Sequence, residues 1–333
     1  MREKSTTQFT ISILILIIII FVLINPGLKA QEVQDSSVLL THKSLPILNQ
    51  FRFIPSDIVK DPFINTFMKL NIGVGTALDL KTYVGNLQGE VRDTLSGDIS
   101  YLAGDLEFQY AVNDWLAFYI GYGGAGRFGS NAYTLLTSGL SYSTTFTLGG
   151  KIRIWQNDNM FLSGAIDYSS TEAALYSIYD FVKEVYENGG EIDTAANSLL
   201  EKETMPKLFF NMNYAYAPAD WFGLLGVAGF GYIKSFDTVE RGNFRLGAAV
   251  AIDFLNVDFI HFPIGILVSA RFNKYPESGA AVSNVVLLGF RIGYTGHKDF
   301  DIGIENTYES LEYKKSDEKV KALITSFKMR YYF

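Results

Sequence analysis

Residues 243–254 read Asn-Phe-Arg-Leu-Gly-Ala-Ala-Val-Ala-Ile-Asp-Phe, and their alternation decides the fold. Phe244, Leu246, Ala248, Val250, Ile252 and Phe254 are apolar; Asn243, Arg245, Gly247, Ala249, Ala251 and Asp253 between them are small, polar or charged. A period of two marks a β-strand with one greasy and one polar face. A half-buried soluble strand shows the same pattern. Here the unit reaches the ~9–11 residues a membrane-crossing strand needs, and it recurs along the chain.

The alternation is read near 68–78, 99–112, 115–126, 141–155, 160–169, 207–217, 221–233, 243–254, 263–273, 283–295, 300–309 and 319–333. The expectation is an all-β transmembrane antiparallel β-barrel of about 12 strands over residues 68–333. The stretch 221–233 fits least well, because Leu225 and Val227 fall on its inner face. Short connections at 113–114, 156–159, 218–220 and 296–299 alternate with longer ones, as they do where short turns face one side of a membrane and loops the other. The connection 255–262 is longer than that rhythm wants. Trp115, Trp155 and Trp221 lie beside short turns, where an interfacial aromatic belt would put them. Tyr110-Ala111-Val112-Asn113-Asp114-Trp115-Leu116 is echoed by Tyr216-Ala217-Pro218-Ala219-Asp220-Trp221-Phe222, a repeated hairpin.

The longest connection, 170–206, is expected to be a partly helical external loop. Ser169 and Glu172 have capping-box spacing, and Leu175, Ile178, Tyr179, Val182 and Tyr186 recur at helical intervals.

Ahead of the strands, residues 1–30 have the order of a secretory signal peptide. Arg2 and Lys4 precede the apolar run 11–24, Asn25, Pro26 and Gly27 break it, and cleavage is expected after Ala30. Residues 31–67 are an N-terminal plug or cap. Their apolar side chains, among them Leu48, Phe51, Phe53, Ile54, Ile58, Val59, Phe63 and Ile64, demand a partner surface, while Pro46, Pro55 and Pro62 prevent one long helix. Short turns or helices are expected, with Ser44 and Ser56 as N-caps. Insertion into the barrel and packing beneath its mouth both satisfy this composition.

The 333 residues are 48% hydrophobic and 15% aromatic, too apolar for a disordered chain. Without residues 1–30 the chain carries 25 basic and 34 acidic residues, which does not suggest a nucleic-acid partner. The absence of cysteine excludes disulfides, thiolate metal sites, cysteine nucleophiles and an N-terminal lipidated cysteine. Only His42, His261 and His297 are present, none of them mid-strand. No nucleophile–base pair or metal-ligand cluster is legible, so neither an enzyme nor a cofactor is expected.

Charge on the inner faces is the functional signal. Parity points Lys69, Lys151, Arg153, Lys207, Arg245, Arg271, Arg291, Lys328 and Arg330 inward, with Asp105, Glu107, Asp167, Asp253, Asp301 and Glu305. Two readings follow. One is a polar, mildly basic conduit for small anionic or amphipathic solutes. The other is a closed, ion-paired interior in a structural, adhesive or assembly barrel. Arg291 and Glu305 lie about equally far from the turn near His297 and are expected to pair across the hairpin.

At the C-terminus, Leu323, Thr325, Phe327, Met329, Tyr331 and Phe333 alternate up to the final residue. With the signal segment and the strands, this end resembles Gram-negative outer-membrane β-barrel proteins. The resemblance implies an outer-membrane location, a lipid-facing exterior, and recognition of Phe327, Met329, Tyr331 and Phe333 by the barrel-assembly machinery. A barrel with an N-terminal segment and a large outer loop also looks like the fatty-acid transporters and the channels associated with aromatic degradation. About twelve strands departs from the fourteen of the fatty-acid transporters, and no motif selects either family.

Overall fold

A computed structural model describes residues 45–85, 91–129, 140–176, 200–234, 240–274, 282–313 and 319–333. The expected signal peptide and residues 31–44, with Ser44, lie outside them. A two-residue-per-strand hairpin comes first, β1 (Ile47–Leu48) and β2 (Phe51–Arg52). The barrel strands follow: β3 (Phe67–Gly85), β4 (Val91–Asn113), β5 (Leu116–Gly129), β6 (Leu140–Gln156), β7 (Met160–Tyr176) and β8 (Leu200–Ala219). The second half comprises β9 (Phe222–Lys234), β10 (Glu240–Asp253), β11 (Ile264–Lys274), β12 (Val282–Tyr294), β13 (Phe300–Tyr313) and β14 (Lys319–Tyr332).

These last twelve strands form one closed barrel in which every neighbouring pair is antiparallel. Closure pairs the last strand with the first, Met68 opposite Tyr331 and Ile72 opposite Phe327. The amide of Phe333 also donates to the Thr66 carbonyl at 3.1 Å. Closure leaves no free sheet edge, so the ladder satisfies the backbone polar groups that lipid could not.

The two faces separate as the alternation requires. Outward residues such as Phe244, Leu246, Val250, Leu288 and Phe327 are exposed; inward Asn243, Ala249, Ala251, Arg291 and Glu305 are buried. Trp115, Trp155 and Trp221 are exposed beside the short turns. The barrel end bearing the connections 114–115, 157–159, 220–221, 254–263 and 295–299 is called the short-turn end below.

Two expectations are corrected. Residues 170–176 and 200–206 are not loop: they belong to β7 and β8, with Thr171 opposite Met205 and Leu175 opposite Glu201. Ser169, expected to open a helix, sits in the ladder opposite Thr147 and Lys207. Hydrogen bonding to a neighbour on each side outweighs helical spacing, which is a local signal. Residues 177–199, with the rest of the helical pattern, lie outside the described residues. Likewise 79–85 and 91–98, expected as a connection, extend β3 and β4 around a bulge between Ala77 and Leu80.

The long connection after β10 contains a 3-10 turn, Phe254–Asn256, capped by Asp253, whose carboxylate accepts from the Leu255 amide at 3.1 Å. That carboxylate also accepts from the Thr295 hydroxyl at 2.8 Å, tying this turn to the next hairpin.

Candidate functional site

Residues 45–66 occupy the barrel interior at its short-turn end. No helix forms among them: Pro46, Pro55 and Pro62 punctuate an irregular chain. Ser56 caps a turn rather than a helix, its hydroxyl accepting from the Ile58 amide at 3.1 Å and donating to Glu305 at 2.9 Å.

The β1–β2 hairpin fastens the segment at the rim. Its tip residues, Asn49 and Gln50, have φ of 45° and 64°, a left-handed conformation costly for residues with a Cβ but least so for Asn. Neighbouring turns hold it there: the Asn49 amide donates to the Asp158 carbonyl at 2.9 Å, and its side chain to Ala217 O at 3.3 Å. The Arg52 guanidinium donates to the carbonyls of Thr295 at 3.2 Å and Phe300 at 2.9 Å, and also to that of His297.

Beyond the rim the segment turns its apolar side chains onto the inner wall. Phe51, Phe53, Ile54, Ile58, Val59, Phe63 and Ile64 form one buried cluster with Ala215, Leu225, Val227, Ala249, Ala251 and Leu267 of the barrel. An aromatic chain runs through it, with ring centroids 4.8 Å apart for Phe51–Phe53, 5.2 Å for Phe53–Phe63 and 5.2 Å for Phe63–Phe161. Inner-wall glycines make room: a Cβ on Gly223 would lie 2.1 Å from the Phe51 ring, and one on Gly265 2.3 Å from Ile54 Cδ1. Leu225 and Val227, which spoil the polar parity of β9, are part of the surface that receives the segment. Of residues 31–67 the structure describes 45–67, and the contacts of 45–66 are with inward-facing residues of the strands.

Two carboxylates lock the segment to the wall bases. Asp57 is 3.0 Å from Lys69 Nζ and 2.6 Å from Lys328 Nζ, and accepts from Asn71 at 3.1 Å. Asp61 is 2.6 Å from Arg330 Nη1 and 3.7 Å from Lys151 Nζ. Burial alone would raise the pKa of Asp61, but Arg330 and Lys151 outweigh it and lower it to about 2. Against the same opposition from burial, Lys328 and Lys69 hold Asp57 well below the usual carboxylate range. Main-chain carbonyls engage other bases and an amide: Arg291 donates to Pro55 O at 2.8 Å, Arg271 to Ile58 O at 3.1 Å and Gln109 to Asn65 O at 2.9 Å.

All the parity-assigned charges lie on inner faces, but their partners differ from expectation. Arg291 and Glu305 do stand opposite each other in the ladder. Even so, Arg291 pairs with Asp301, while Glu305 pairs with Lys328 and Ser56. Register sets which backbones face each other; long side chains choose the diagonal carboxylate when a third base and a hydroxyl compete for the nearer one. Lys69 also meets Asp105 and Glu107, each at 3.2 Å. Arg153 stays at the rim, donating to Gln156 at 2.9 Å, outside the contacts with the segment. Asp57, Asp61, Arg52 and Lys60 make contacts in this candidate site that strand parity could not find, because they lie before the first barrel strand. Their legible signal was charge within an otherwise apolar, proline-broken run.

Farther from the short-turn end, the wall and the segment's Lys60 line a half-open chamber of about 230 Å³. Asp167 accepts from Arg245 at 2.8 Å and Asn211 at 2.9 Å, and lies 3.8 Å from Lys60 Nζ. Lys207 and Arg271 complete its basic lining. Phe327, Tyr331 and Phe333 lie on the opposite, outer face, as alternation requires, and Met329 shares their parity. His261 and His297 are exposed in turns, and the described residues contain no group of side chains suited to hold a metal ion.

No family model and no curated protein sequence matches the chain. Among solved structures it is similar to an outer membrane channel from Pseudomonas putida F1, at 10% identity and TM-score 0.49, over 85% of this chain and 100% of that one. A Pseudomonas aeruginosa FadL homologue is similar at 11% identity and TM-score 0.47, over 86% of this chain and 95% of that one. The transport unit of the Escherichia coli autotransporter AIDA-I is similar at 9% identity and TM-score 0.46, over 81% and 90%. A closed, even-numbered antiparallel barrel with an apolar exterior and a charged interior is the architecture of bacterial outer-membrane barrels.

Proposed function

We propose that this protein is a bacterial outer-membrane channel for small anionic or amphipathic solutes, shut at its periplasmic end by residues 45–66. The observation that carries this reading is the docking of that segment through Asp57 and Asp61 onto Lys69, Lys328, Lys151 and Arg330. An interior that only had to be filled could use apolar side chains alone. Charge-paired docking suits a reversible closure, because the charges of Asp57 and Asp61 can be taken up by water when the segment leaves. The chain would be exported by a cleaved signal peptide, residues 1–30, and inserted through recognition of its C-terminal residues up to Phe333. Short turns would then face the periplasm.

Deleting residues 36–65 while keeping the signal peptide should leave an assembled, heat-modifiable barrel that conducts more in planar bilayers than the full-length protein. Unchanged conductance from an intact barrel would overturn the channel reading. It would favour a structural or assembly barrel, for which the buried Arg291–Asp301 and Lys328–Glu305 pairs are the supporting observation.

A further inference from the structure

The chamber next to the docked segment has an imbalance that the lock does not explain. Four bases, Lys60, Lys207, Arg245 and Arg271, line it against the single carboxylate of Asp167. Asp167 is already engaged by Arg245, Asn211 and Lys60, and Lys207 has no ion-pair partner among the described residues. Asn243, only 2% exposed, also lines the chamber, and its side-chain oxygen, like Asp167 Oδ1, has no protein donor; these two acceptors call for a hydroxyl or water beside an anion rather than for the anion itself. Native interiors rarely leave such an atom without a partner.

We infer that this chamber binds a small organic carboxylate, and that the bound anion holds the segment in its docked position. The carboxylate class follows from the lining. Arg245 spends Nε on Asn211 and Nη2 on Asp167, which leaves Nη1 and the neighbouring Lys207 ammonium for a carboxylate, and Phe209, 4.3 Å from the guanidinium, and Ile233 supply the apolar part of the lining. Asp167 inside the same chamber disfavours a compact anion of high charge. The clamp follows from ownership: Lys60 belongs to the inserted segment and Arg245 to the wall, so an anion touching both binds the docked state better than the released one. By linkage it must shift the equilibrium toward docking. The inference rests on the channel reading in one respect, that the anion is a solute in transit.

The test uses detergent-purified full-length protein with benzoate as probe and inorganic phosphate as comparator. Because the chain has no cysteine, Val59→Cys gives a single thiol, buried in the docked state, whose labelling rate reports release. Calorimetry should show saturable benzoate binding, weakened about tenfold or more in Lys60→Met and in Arg245→Met, as expected for loss of a charge-assisted contact. It should be unchanged in Lys298→Met, an exposed turn residue. Benzoate should slow labelling of Val59→Cys, and not in the Lys60→Met background. Absence of saturable binding, undiminished binding in Lys60→Met, or a labelling rate that benzoate leaves unchanged or raises would each overturn the inference. Equal affinity for phosphate would overturn the carboxylate assignment. If binding and protection hold while the segment-deleted barrel conducts no better than full length, the channel reading falls and the binding site stands.

Discussion

At the scale of single residues, Asp61 is the most informative position. Its side chain is 6% exposed between Arg330 and Lys151. Asp61→Asn leaves both bases facing a neutral amide, a change of the kind that costs about 3–5 kcal/mol when one partner of a buried pair is removed. The expected outcome is an intact barrel with a raised open-channel probability in planar bilayers. Acid should act the same way. The Asp61 pKa is about 2 when docked against 3.8 unperturbed, so its contribution is complete above the higher value and is lost as pH falls through the lower one. Conductance of the wild type should therefore rise between about pH 4 and pH 2, and less so in Asp61→Asn. Gly223 tests the apolar side of the same docking. Gly223→Ala puts a methyl into the ring of Phe51, which is fully buried and hemmed in by Phe53. Overpacking of this sort costs about 1–3 kcal/mol. It should speed trypsin cleavage at Arg52, which is buried in the docked segment.

At the scale of elements, β10 separates the consequences of its two faces. Val250 is exposed on the outside, whereas Ala249 lies in the apolar cluster against the inserted segment. Val250→Arg should lower barrel stability by about 2–4 kcal/mol, as for a charge at the lipid midplane, measured by urea unfolding in lipid. Ala249→Arg should leave the barrel assembled but expel residues 45–66. Parity alone makes Ala249 a tolerant, lumen-facing position; in the folded protein the segment occupies that space. Hence Ala249→Arg should raise conductance in the full-length chain and change it little in the deletion lacking residues 36–65. Equal destabilisation of the barrel by both substitutions would show the faces of β10 to be misassigned.

Across the whole molecule, two kinds of interaction divide the work. The barrel is held by a closed backbone ladder and an apolar exterior. The segment is held by side chains alone, apolar ones toward β9–β11 and charged ones toward β3, β6 and β14. Asp57 and Asp61 offset part of the inward basic charge of the strands at the short-turn end. Lys60, Lys207, Arg245 and Arg271 gather in the chamber around Asp167. The molecule is therefore expected to lose docking before it loses the barrel. On acidification, cleavage at Arg52 by an acid-tolerant protease of Arg specificity should appear while heat-modifiable gel migration persists.

Alternation is a property of neighbouring residues, so the sequence alone determined the strands, their inner and outer faces, the closed barrel and the tryptophans at its rim. It also marked residues 31–67 as a segment in need of a surface. Strand lengths at the loop end were misread, since helical spacing around Leu175 is local while the ladder that claims 170–176 is formed with distant strands. Only the tertiary structure decided that 45–66 enters the barrel, that Asp57 and Asp61 meet bases from strands near both ends of the chain, and that Arg291 takes Asp301 rather than Glu305. The reason is sequence distance: these partners are brought together by closure of the barrel, and no periodicity along the chain encodes which side chains a closed wall will place opposite an inserted one.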